Sequence, residues 1–298
     1  MVYWQRLGKA ASIAAASLLL VCMAATATAI TPDEITERGY IRIAVANEAP
    51  YGYMTADGDA EGFGPTTAKH VLEAMDINDI QWSVMPFGKL IDAVNDGRVD
   101  MVAAGQAILP ERCEEATFSR PNTTYGEGLL VLSGNPLKLR SYANIADNPD
   151  ARLGIVEGAT QVDFAEDAGI GEDQIVLLEN NTDAVDALTA GDIDAYAATQ
   201  FTVADLAENS DEVQAAQPYP KKPFALNPFK DPIARNKLRS WGAFTFAKES
   251  VELRDAFNEH LEAFQQTDEW LDILNDYGLD QRSIDAIDKK TTQELCSM

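Results

Sequence analysis

Side chains that could contact a small charged ligand follow the ends of predicted strands. Glu48 and Tyr51 come directly after a β-rich alternating segment, residues 40–46, and Phe87 follows a second predicted strand. The loop after the first strand therefore offers a carboxylate and one or two aromatic rings. Arg112 lies at a predicted helix start, where a cation is mildly unfavourable for the helix dipole. A guanidinium there is more understandable if it meets an anion, because its fork pairs with a carboxylate through two hydrogen bonds.

Each of these side chains also has a simpler structural interpretation. The loop at residues 47–53 could be a surface turn with a packed tyrosine, and Phe87 could be a core residue. Arg112 could be a solvated surface charge. The residue types alone leave both interpretations open.

An internal repeat indicates which elements position these side chains. Residues 90–105 read LIDAVNDGRVDMVAAG, and residues 184–199, 94 positions later, read AVDALTAGDIDAYAAT. Each copy predicts a short amphipathic helix, a glycine able to take left-handed angles, and a strand, at Val99–Ala104 or Ile193–Ala198. Six positions are identical without a gap: Asp92/Asp186, Ala93/Ala187, Gly97/Gly191, Asp100/Asp194, Ala103/Ala197 and Ala104/Ala198.

The repeat predicts two similar α/β lobes. Helix–glycine–strand is half of a βαβ unit, so each copy is expected in a parallel sheet. A spacing near one hundred residues is too long for a solenoid. Ligands of open α/β sheets bind outside the carboxyl ends of strands. The candidate binding segments are therefore Gly105–Arg112, which includes Gln106 and Ala107, and Thr199–Gln200.

The amino terminus predicts export. A basic start with Arg6 and Lys9, an apolar stretch from Ala10 and an Ala27-Thr28-Ala29 end are typical of a signal peptide at residues 1–29. An uncleaved membrane anchor is one alternative, and lipidation at Cys22 is another. With cleavage, the mature protein is expected to be soluble and periplasmic.

Composition excludes several functions. The mature part holds 21 basic and 48 acidic residues, a net charge of about −27, which argues against nucleic acid or anionic membrane as partners. Its two cysteines, Cys113 and Cys296, are expected to form a disulfide in an oxidising compartment, although two free thiols remain possible. His70 and His260 are the only histidines, so we expect no metal, no cofactor and no His-based catalysis.

Several stretches together resemble a known family. They are EGFG at residues 61–64, GRVDMVAAG, LPER, Tyr125-x-Glu127-Gly128, ARLGIVEGAT at residues 151–160, and GAFTFAK at residues 242–248. In this order they resemble the type II periplasmic solute-binding proteins of polar amino acid ABC importers, solute-binding protein family 3. The resemblance covers the mature chain and implies an α/β fold of two lobes with two hinge crossings and a ligand in the interlobe cleft.

The resemblance also implies the division of the chain. Lobe 1 is expected at residues 30–127 and lobe 2 at residues 128–219, with hinge strands at both ends. Residues 220–298 are expected to form a hinge-side insertion and the return to lobe 1. The Pro/Lys-rich segment at residues 217–223 would be the second crossing, and Leu253–Tyr277 is predicted to be helical, with its apolar residues in the core.

Within the family the chain is most similar to ectoine and hydroxyectoine binders. ANEAPYGY, PERC, LKLRSYANIADNPDARL and DAYAAT carry this resemblance. It implies that Glu48, Tyr51 and Phe87 contact the ligand's ring and that Arg112 binds its carboxylate, together with backbone and hydroxyl groups of lobe 2 at Gly158, Ala159 and Thr160. Thr199 stands where amino-acid binders of the family usually have an aspartate for a primary ammonium.

Two residues depart from the ectoine-binder pattern. Ala107 replaces an aromatic that completes a three-sided cage, and Leu109 replaces a threonine beside Arg112. Trp241, Tyr125 or Tyr196 could supply the missing wall.

These features predict a monomeric, non-enzymatic binding protein that closes on a small zwitterionic solute and delivers it to a membrane permease. A polar or cationic amino acid is the alternative ligand. A dehydratase on the same fold, with Glu48 as its acid–base group, and a receptor sensing domain are the remaining alternatives.

Overall fold

The computed structural model describes residues 29–216, 239–279 and 281–298. The predicted signal peptide, apart from its last residue, and the predicted second crossing lie outside the described residues. The strands are β1 Ile41–Val45, β2 Tyr53–Met54, β3 Ala60–Glu61, β4 Ile80–Val84, β5 Met101–Ala107, β6 Ala116–Phe118, β7 Thr123–Tyr125, β8 Glu127–Leu132, β9 Leu153–Val156, β10 Ile175–Leu178, β11 Ala195–Thr199, β12 Val213–Ala215 and β13 Ser240–Ala247.

The helices lie between these strands and after the last one. They are α1 Pro32–Arg38, α2 Phe63–Ala74, α3 Leu90–Asn95, α4 Pro110–Glu115, α5 Tyr142–Ala146, α6 Gln161–Asp167, α7 Asp183–Ala190, α8 Gln200–Glu208, α9 Val251–Phe264, α10 Asp268–Asp276, α11 Gln281–Ile287 and α12 Thr292–Cys296. Short 3-10 helices are found at Phe87–Lys89 and Glu172–Gln174. None of the helices in the described ranges is long and apolar enough to cross a membrane.

Two sheets define two lobes. Lobe 1 has the strand order β4-β1-β5-β13-β6, with β7 paired to β13, and lobe 2 has the order β10-β9-β11-β8-β12. In lobe 1, β1 is parallel to β4 and β5, and β13 is antiparallel to β5. In lobe 2, β9 is parallel to β10 and β11, and β8 is antiparallel to β11. The prediction of an α/β fold with two similar lobes is confirmed.

The chain passes between the lobes within one residue. Strand β7 ends at Tyr125 in the sheet of lobe 1, and β8 begins at Glu127 in the sheet of lobe 2. Only Gly126 lies between them. A short crossing of this kind lets two rigid sheets rotate through a few backbone torsions.

The internal repeat has the predicted order of elements with shifted strand boundaries. Gly97 and Gly191 follow α3 and α7 with φ of 66° and 75°, the left-handed conformation that glycine adopts without a steric penalty. The strands β5 and β11 begin two residues later than predicted and extend further. Just before each strand, the repeated aspartate uses its side chain to contact the neighbouring strand.

The repeated aspartates fasten each strand to its neighbour. Asp100 accepts a hydrogen bond of 2.7 Å from the backbone N–H of Arg42, and Asp194 accepts one of 2.8 Å from that of Arg152. Asp100 also forms ion pairs with the side chains of Arg38 and Arg42 at 2.5 and 2.6 Å. Its side chain is 1% exposed, whereas that of Asp194 is 23% exposed. The two copies therefore share the same aspartate-to-backbone hydrogen bond, and the aspartate is more deeply buried in lobe 1.

The stretch predicted to be helical at Leu253–Tyr277 consists of two helices. The structure divides it into α9 and α10, because the Thr267 hydroxyl accepts a hydrogen bond of 3.2 Å from Trp270 N–H and starts a second helix. The expected apolar residues do pack in the core: Phe257, Leu261, Trp270 and Leu274 are buried and Phe264 and Leu271 partly buried.

The carboxyl-terminal helix is joined covalently to lobe 1. Cys113 in α4 and Cys296 in α12 form a disulfide across a sequence separation of 183. Helix α4 also carries Arg112. Lys248, which follows β13, donates a hydrogen bond to the carbonyl of Cys113. These contacts hold the helix that presents Arg112 against the body of lobe 1.

Candidate ligand-binding site

A cavity lies between the two lobes at the ends of their strands. It contains about 450 Å³ of space free of protein atoms, part of it open to solvent. Lobe 1 lines it with Glu48, Tyr51, Phe87, Ala104, Gly105, Arg112 and Tyr125. Lobe 2 lines it with Val156, Ala159, Thr160, Gln161, Asn181, Tyr196, Ala197, Ala198 and Thr199.

Glu48 is positioned by a tight loop after β1. Its backbone N–H and carbonyl exchange hydrogen bonds of 2.9 Å with Gly52, so the side chain is directed from a fixed point. The Glu48 carboxylate then receives donors from lobe 2. The Thr202 hydroxyl donates to Glu48 Oε1 at 2.7 Å, and Asn181 contributes a second side-chain hydrogen bond.

The carboxylate of Glu48 is only 8% exposed and has no ion pair within the described part of the chain. Burial raises the pKa of Glu48 to about 7, while the hydrogen bonds from Thr202 and Asn181 act against this rise. A cation placed beside such a buried carboxylate strongly stabilises its charged form. This part of the cavity is suited to a positively charged group.

A second buried carboxylate lies behind the cavity wall of lobe 2. Glu127, at the start of β8, accepts hydrogen bonds from Gln161 Nε2 at 2.9 and 3.1 Å and from the Tyr142 hydroxyl at 3.1 Å. Burial raises the pKa of Glu127 to about 8. Gln161 lines the cavity, so Glu127 fixes the orientation of an amide that faces the ligand space.

Aromatic rings also line the cavity. The rings of Tyr51 and Tyr125 pack edge to face with centroids 5.4 Å apart. Gly105 permits this arrangement, because a Cβ at that position would lie 2.6 Å from Cδ1 of Tyr51. The Tyr51 hydroxyl donates to the Thr199 hydroxyl at 3.0 Å, and the Tyr125 hydroxyl donates to the Gly105 carbonyl at 2.9 Å. Tyr51 therefore connects the lobes as well as lining the cavity.

Arg112 supplies a positive charge to the lining of the cavity. Its guanidinium donates to the Ala107 carbonyl at 3.2 Å and to the Gly158 carbonyl of lobe 2 at 2.9 Å. It also lies 5.5 Å from the centre of the Phe87 ring. In the described ranges no carboxylate forms an ion pair with Arg112. An anionic ligand group can therefore take the remaining donors of the guanidinium.

Most of the residues singled out from the sequence line the cavity. They are Glu48, Tyr51, Phe87, Arg112, Ala159, Thr160 and Thr199. Gly158 lies beside it and contributes the carbonyl that binds Arg112. Gln106 and Ala107 do not line the cavity. Gln106 accepts a hydrogen bond from Thr245 at 2.8 Å inside lobe 1, and Ala107 packs in an apolar cluster that includes Phe63 and Trp270.

Three aromatic residues were considered as substitutes for the ring that is absent at Ala107, and only two of them line the cavity. Tyr125 and Tyr196 line the cavity, whereas Trp241 packs beside the disulfide and donates its indole N–H to the Ala286 carbonyl at 2.9 Å. Asn181, Gln161 and Thr202 were not found from the sequence. The offset of 94 residues, continued three positions before the repeat, places one of them, Asn181, opposite Phe87.

The arrangement provides binding groups and no metal centre within the described residues, where no group of three or more His, Cys, Asp or Glu side chains could hold an ion. The two sheets, the crossing at Gly126 and the polar cavity between the lobes define a two-lobe solute-binding protein. The chain belongs to the bacterial extracellular solute-binding proteins, family 3, whose model matches residues 41–280.

Two individual relatives are also named as solute-binding proteins. A probable amino-acid ABC transporter periplasmic-binding protein from Sinorhizobium fredii is 45% identical over 293 residues, which are 97% of this chain and 93% of the relative. A probable histidine-binding protein from Neisseria gonorrhoeae is 26% identical over 204 residues, 67% of this chain and 74% of the relative.

Solved structures have the same fold. The crystal structure of EhuB in complex with hydroxyectoine has a TM-score of 0.78 and 30% identity, and covers 89% of this chain and 97% of its own. An ancestral amino acid-binding protein, a precursor of cyclohexadienyl dehydratase, has a TM-score of 0.68 at 22% identity, covering 83% of this chain and 98% of its own. This second likeness concerns the fold alone.

Proposed function

We propose that this protein is the substrate-binding subunit of an ABC importer and that its ligand is ectoine or hydroxyectoine. One observation carries the proposal: the same interlobe cavity is lined by an arginine without an ion pair in the described chain and by a buried carboxylate. A small zwitterion satisfies both groups together. Since each lobe contributes contacts, the ligand stabilises the closed form.

The cavity chemistry favours a ring with a delocalised charge. Ectoine carries its positive charge over a cyclic amidinium, which is weakly hydrated and attracted to aromatic faces by about 0.5–2 kcal/mol per contact. Tyr51, Phe87 and Tyr125 line the same cavity as Glu48 and Arg112, and Glu48 can accept the amidinium N–H groups. Thr199, in place of an acid, leaves Glu48 as the anionic partner. The likeness to EhuB supports this choice.

A polar or cationic amino acid is the second candidate ligand. Its support is the 45% identical relative from Sinorhizobium fredii, whose name assigns it to amino-acid transport. The zwitterion-binding groups of the cavity would also suit an α-amino acid. We propose no catalytic role, because Glu48 is held by Thr202 and Asn181 as a fixed acceptor, which is the simpler role for a buried carboxylate beside a cation site.

The proposal includes export and delivery. Residues 1–29 have the composition of a cleaved signal peptide, and the solute would be carried as a monomer through the periplasm to a membrane permease. The acidic sequence, with a net charge of −25 for the whole chain, is compatible with this location and with neither nucleic acid nor anionic lipid as partner.

Thermal unfolding against a ligand panel tests the proposal. The mature protein is melted with ectoine, hydroxyectoine, betaine, proline and the common amino acids. A ligand at 100 times its dissociation constant adds about 2.7 kcal/mol to the free energy of unfolding. We expect a shift with ectoine or hydroxyectoine. A shift with a standard amino acid alone would reject the ectoine assignment and keep the importer role.

Two matched arginine variants show whether the shift arises in the cavity. Arg112→Gln should abolish the ligand-dependent shift, because the ligand's carboxylate loses its cation. Arg98→Gln changes an exposed arginine of the same lobe, which forms an ion pair with Asp96 at 3.5 Å, and should leave the shift unchanged. Equal shifts in both variants would place the ligand elsewhere.

A further inference from the structure

Two glycines face each other where the two lobes meet. Gly88 belongs to the 3-10 helix of lobe 1, and Gly158 follows β9 in lobe 2. A Cβ at Gly88 would lie 2.9 Å from the Glu157 carbonyl oxygen, and a Cβ at Gly158 would lie 2.8 Å from Cα of Gly88. Both distances are shorter than protein structures tolerate, so neither position accepts a side chain while the lobes are in this relation.

The two glycines differ in what they require of the backbone. Gly158 has φ of 77°, which favours glycine whatever surrounds it. Gly88 has no such left-handed angle, and the three atoms nearest to its Cβ position, at 2.9, 3.3 and 3.6 Å, all belong to lobe 2. Alanine would therefore suit the backbone of lobe 1 at residue 88. The reason for glycine at this position is the opposite lobe.

The same contact strip carries ligand-binding groups. Arg112 donates to the carbonyl of Gly158 at 2.9 Å, and Ala159 and Thr160, directly after Gly158, line the cavity. Phe87, directly before Gly88, lines it from lobe 1. The distance between residues 88 and 158 thus fixes how near the two sets of ligand contacts come to each other.

We propose that Gly88 is a specificity-determining residue that sets the separation of the closed lobes. Without a side chain at this position the lobes approach until backbone meets backbone, and the cavity is then short enough for one small solute to contact Glu48 and Arg112 together. This inference rests on the proposed function for the identity of the solute. The role of Gly88 in lobe approach does not depend on that identity.

Gly88→Ala tests the inference with hydroxyectoine as the probe. We expect the dissociation constant measured by calorimetry to rise at least tenfold and the ligand-induced compaction in small-angle X-ray scattering to decrease. The melting temperature without ligand should stay within one or two degrees of the wild type. Lys89→Ala is the control: it removes an exposed ion pair to Glu157 at 3.6 Å without adding atoms between the lobes. Its affinity should change less than threefold.

Unchanged affinity in Gly88→Ala would overturn the inference. A lower melting temperature without ligand would overturn it as well, because it would show that residue 88 serves the folding of lobe 1.

A cross-linking measurement covers the case in which hydroxyectoine does not bind. Lys89→Cys with Glu157→Cys places one thiol on each lobe beside the glycine contact, and a short bifunctional maleimide reports their approach by mass spectrometry. Cys113 and Cys296 are paired with each other. Adding Gly88→Ala should slow the cross-linking rate several-fold without any ligand. An equal rate would overturn the role of Gly88, whereas a slower rate together with no hydroxyectoine binding would reject only the assigned ligand.

Discussion

At the scale of single residues, the carboxylate of Glu48 determines how binding responds to pH. It belongs to lobe 1, but Thr202 and Asn181 of lobe 2 supply its hydrogen-bond donors. Both lobes therefore contribute to the surroundings of this carboxylate. A cation that binds beside Glu48 lowers its pKa again, so binding below neutrality displaces a proton.

We predict that ligand affinity increases with pH until it levels off above about pH 8. Burial raises the pKa of Glu48 to about 7; below that value the ligand must compete with a proton, and affinity should fall about tenfold per pH unit. Calorimetry from pH 5 to pH 9 measures this slope. Glu48→Gln should bind weaker by about 2–5 kcal/mol and lose the slope. If that variant keeps the wild-type slope, another group such as Glu127 carries it.

A second residue prediction concerns the hydroxyl of Tyr51. It donates to Thr199 across the cavity at 3.0 Å, a hydrogen bond worth about 1 kcal/mol. Tyr51→Phe should weaken ligand binding about fivefold in calorimetry, since the closed form loses this bond while the ring remains. Tyr53→Phe is the matched control, because the Tyr53 hydroxyl is 3.4 Å from Glu61 within lobe 1. Equal losses in both variants would contradict the prediction.

The limits of residue-level inference are visible along β5. The rule that ligands bind at strand ends led to Glu48 and Arg112. It also predicted Gln106 and Ala107, which do not line the cavity. Gly105, directly before them, takes a left-handed φ of 62°, and the pairing of β5 with β13 is irregular between Ala243 and Thr245. Regular alternation of side chains is lost there, and no local pattern in the sequence announces it.

At the scale of elements, the repeat was predictable because its helix, glycine and strand are specified locally. The side chains that connect the elements were not. Asp100 and Asp194 are identical in the alignment of the two copies, but their arginine partners precede or begin other strands. The division of the C-terminal helix at Thr267 was missed for a similar reason: apolar spacing continued across a cap.

We predict unequal costs for the two repeated aspartates. Asp100→Asn should lower the free energy of unfolding by about 3 kcal/mol, because two arginines lose a buried partner. Asp194→Asn should cost about 1 kcal/mol or less, since this side chain is partly exposed and has one arginine at 3.5 Å. Urea unfolding of both variants measures the difference. Equal costs would show that burial does not distinguish the two copies.

At the scale of the whole molecule, the disulfide connects the last helix to the one that carries Arg112. Removing it in Cys113→Ser with Cys296→Ser should lower the free energy of unfolding by about 2–5 kcal/mol, because the bond closes a loop of 183 residues. Urea unfolding without reductant measures this loss. We also expect weaker hydroxyectoine binding, as α4 becomes less firmly held. Unchanged stability and affinity would show that packing alone positions Arg112.

The position of the two lobes relative to each other could be inferred from the sequence only through its resemblance to a known family. Periodicity predicted two sheets, but the contacts across the cleft join residues distant in the chain, such as Glu48 with Thr202. Contacts of that kind depend on how two folded bodies meet. Neither amphipathic spacing nor turn chemistry encodes them.

The place of β13 in the sheet of lobe 1 has a consequence for the order in which the protein is made. All five strands of lobe 2 lie between residues 127 and 215, so this sheet can be completed as soon as that segment has emerged. Lobe 1 begins earlier, but β5 has no partner on one side until Ser240–Ala247 arrives. For that interval β5 presents an open edge to other chains. Lobe 1 is therefore started first and finished last. We expect a chaperone to bind at the unpaired edge of β5 during that interval.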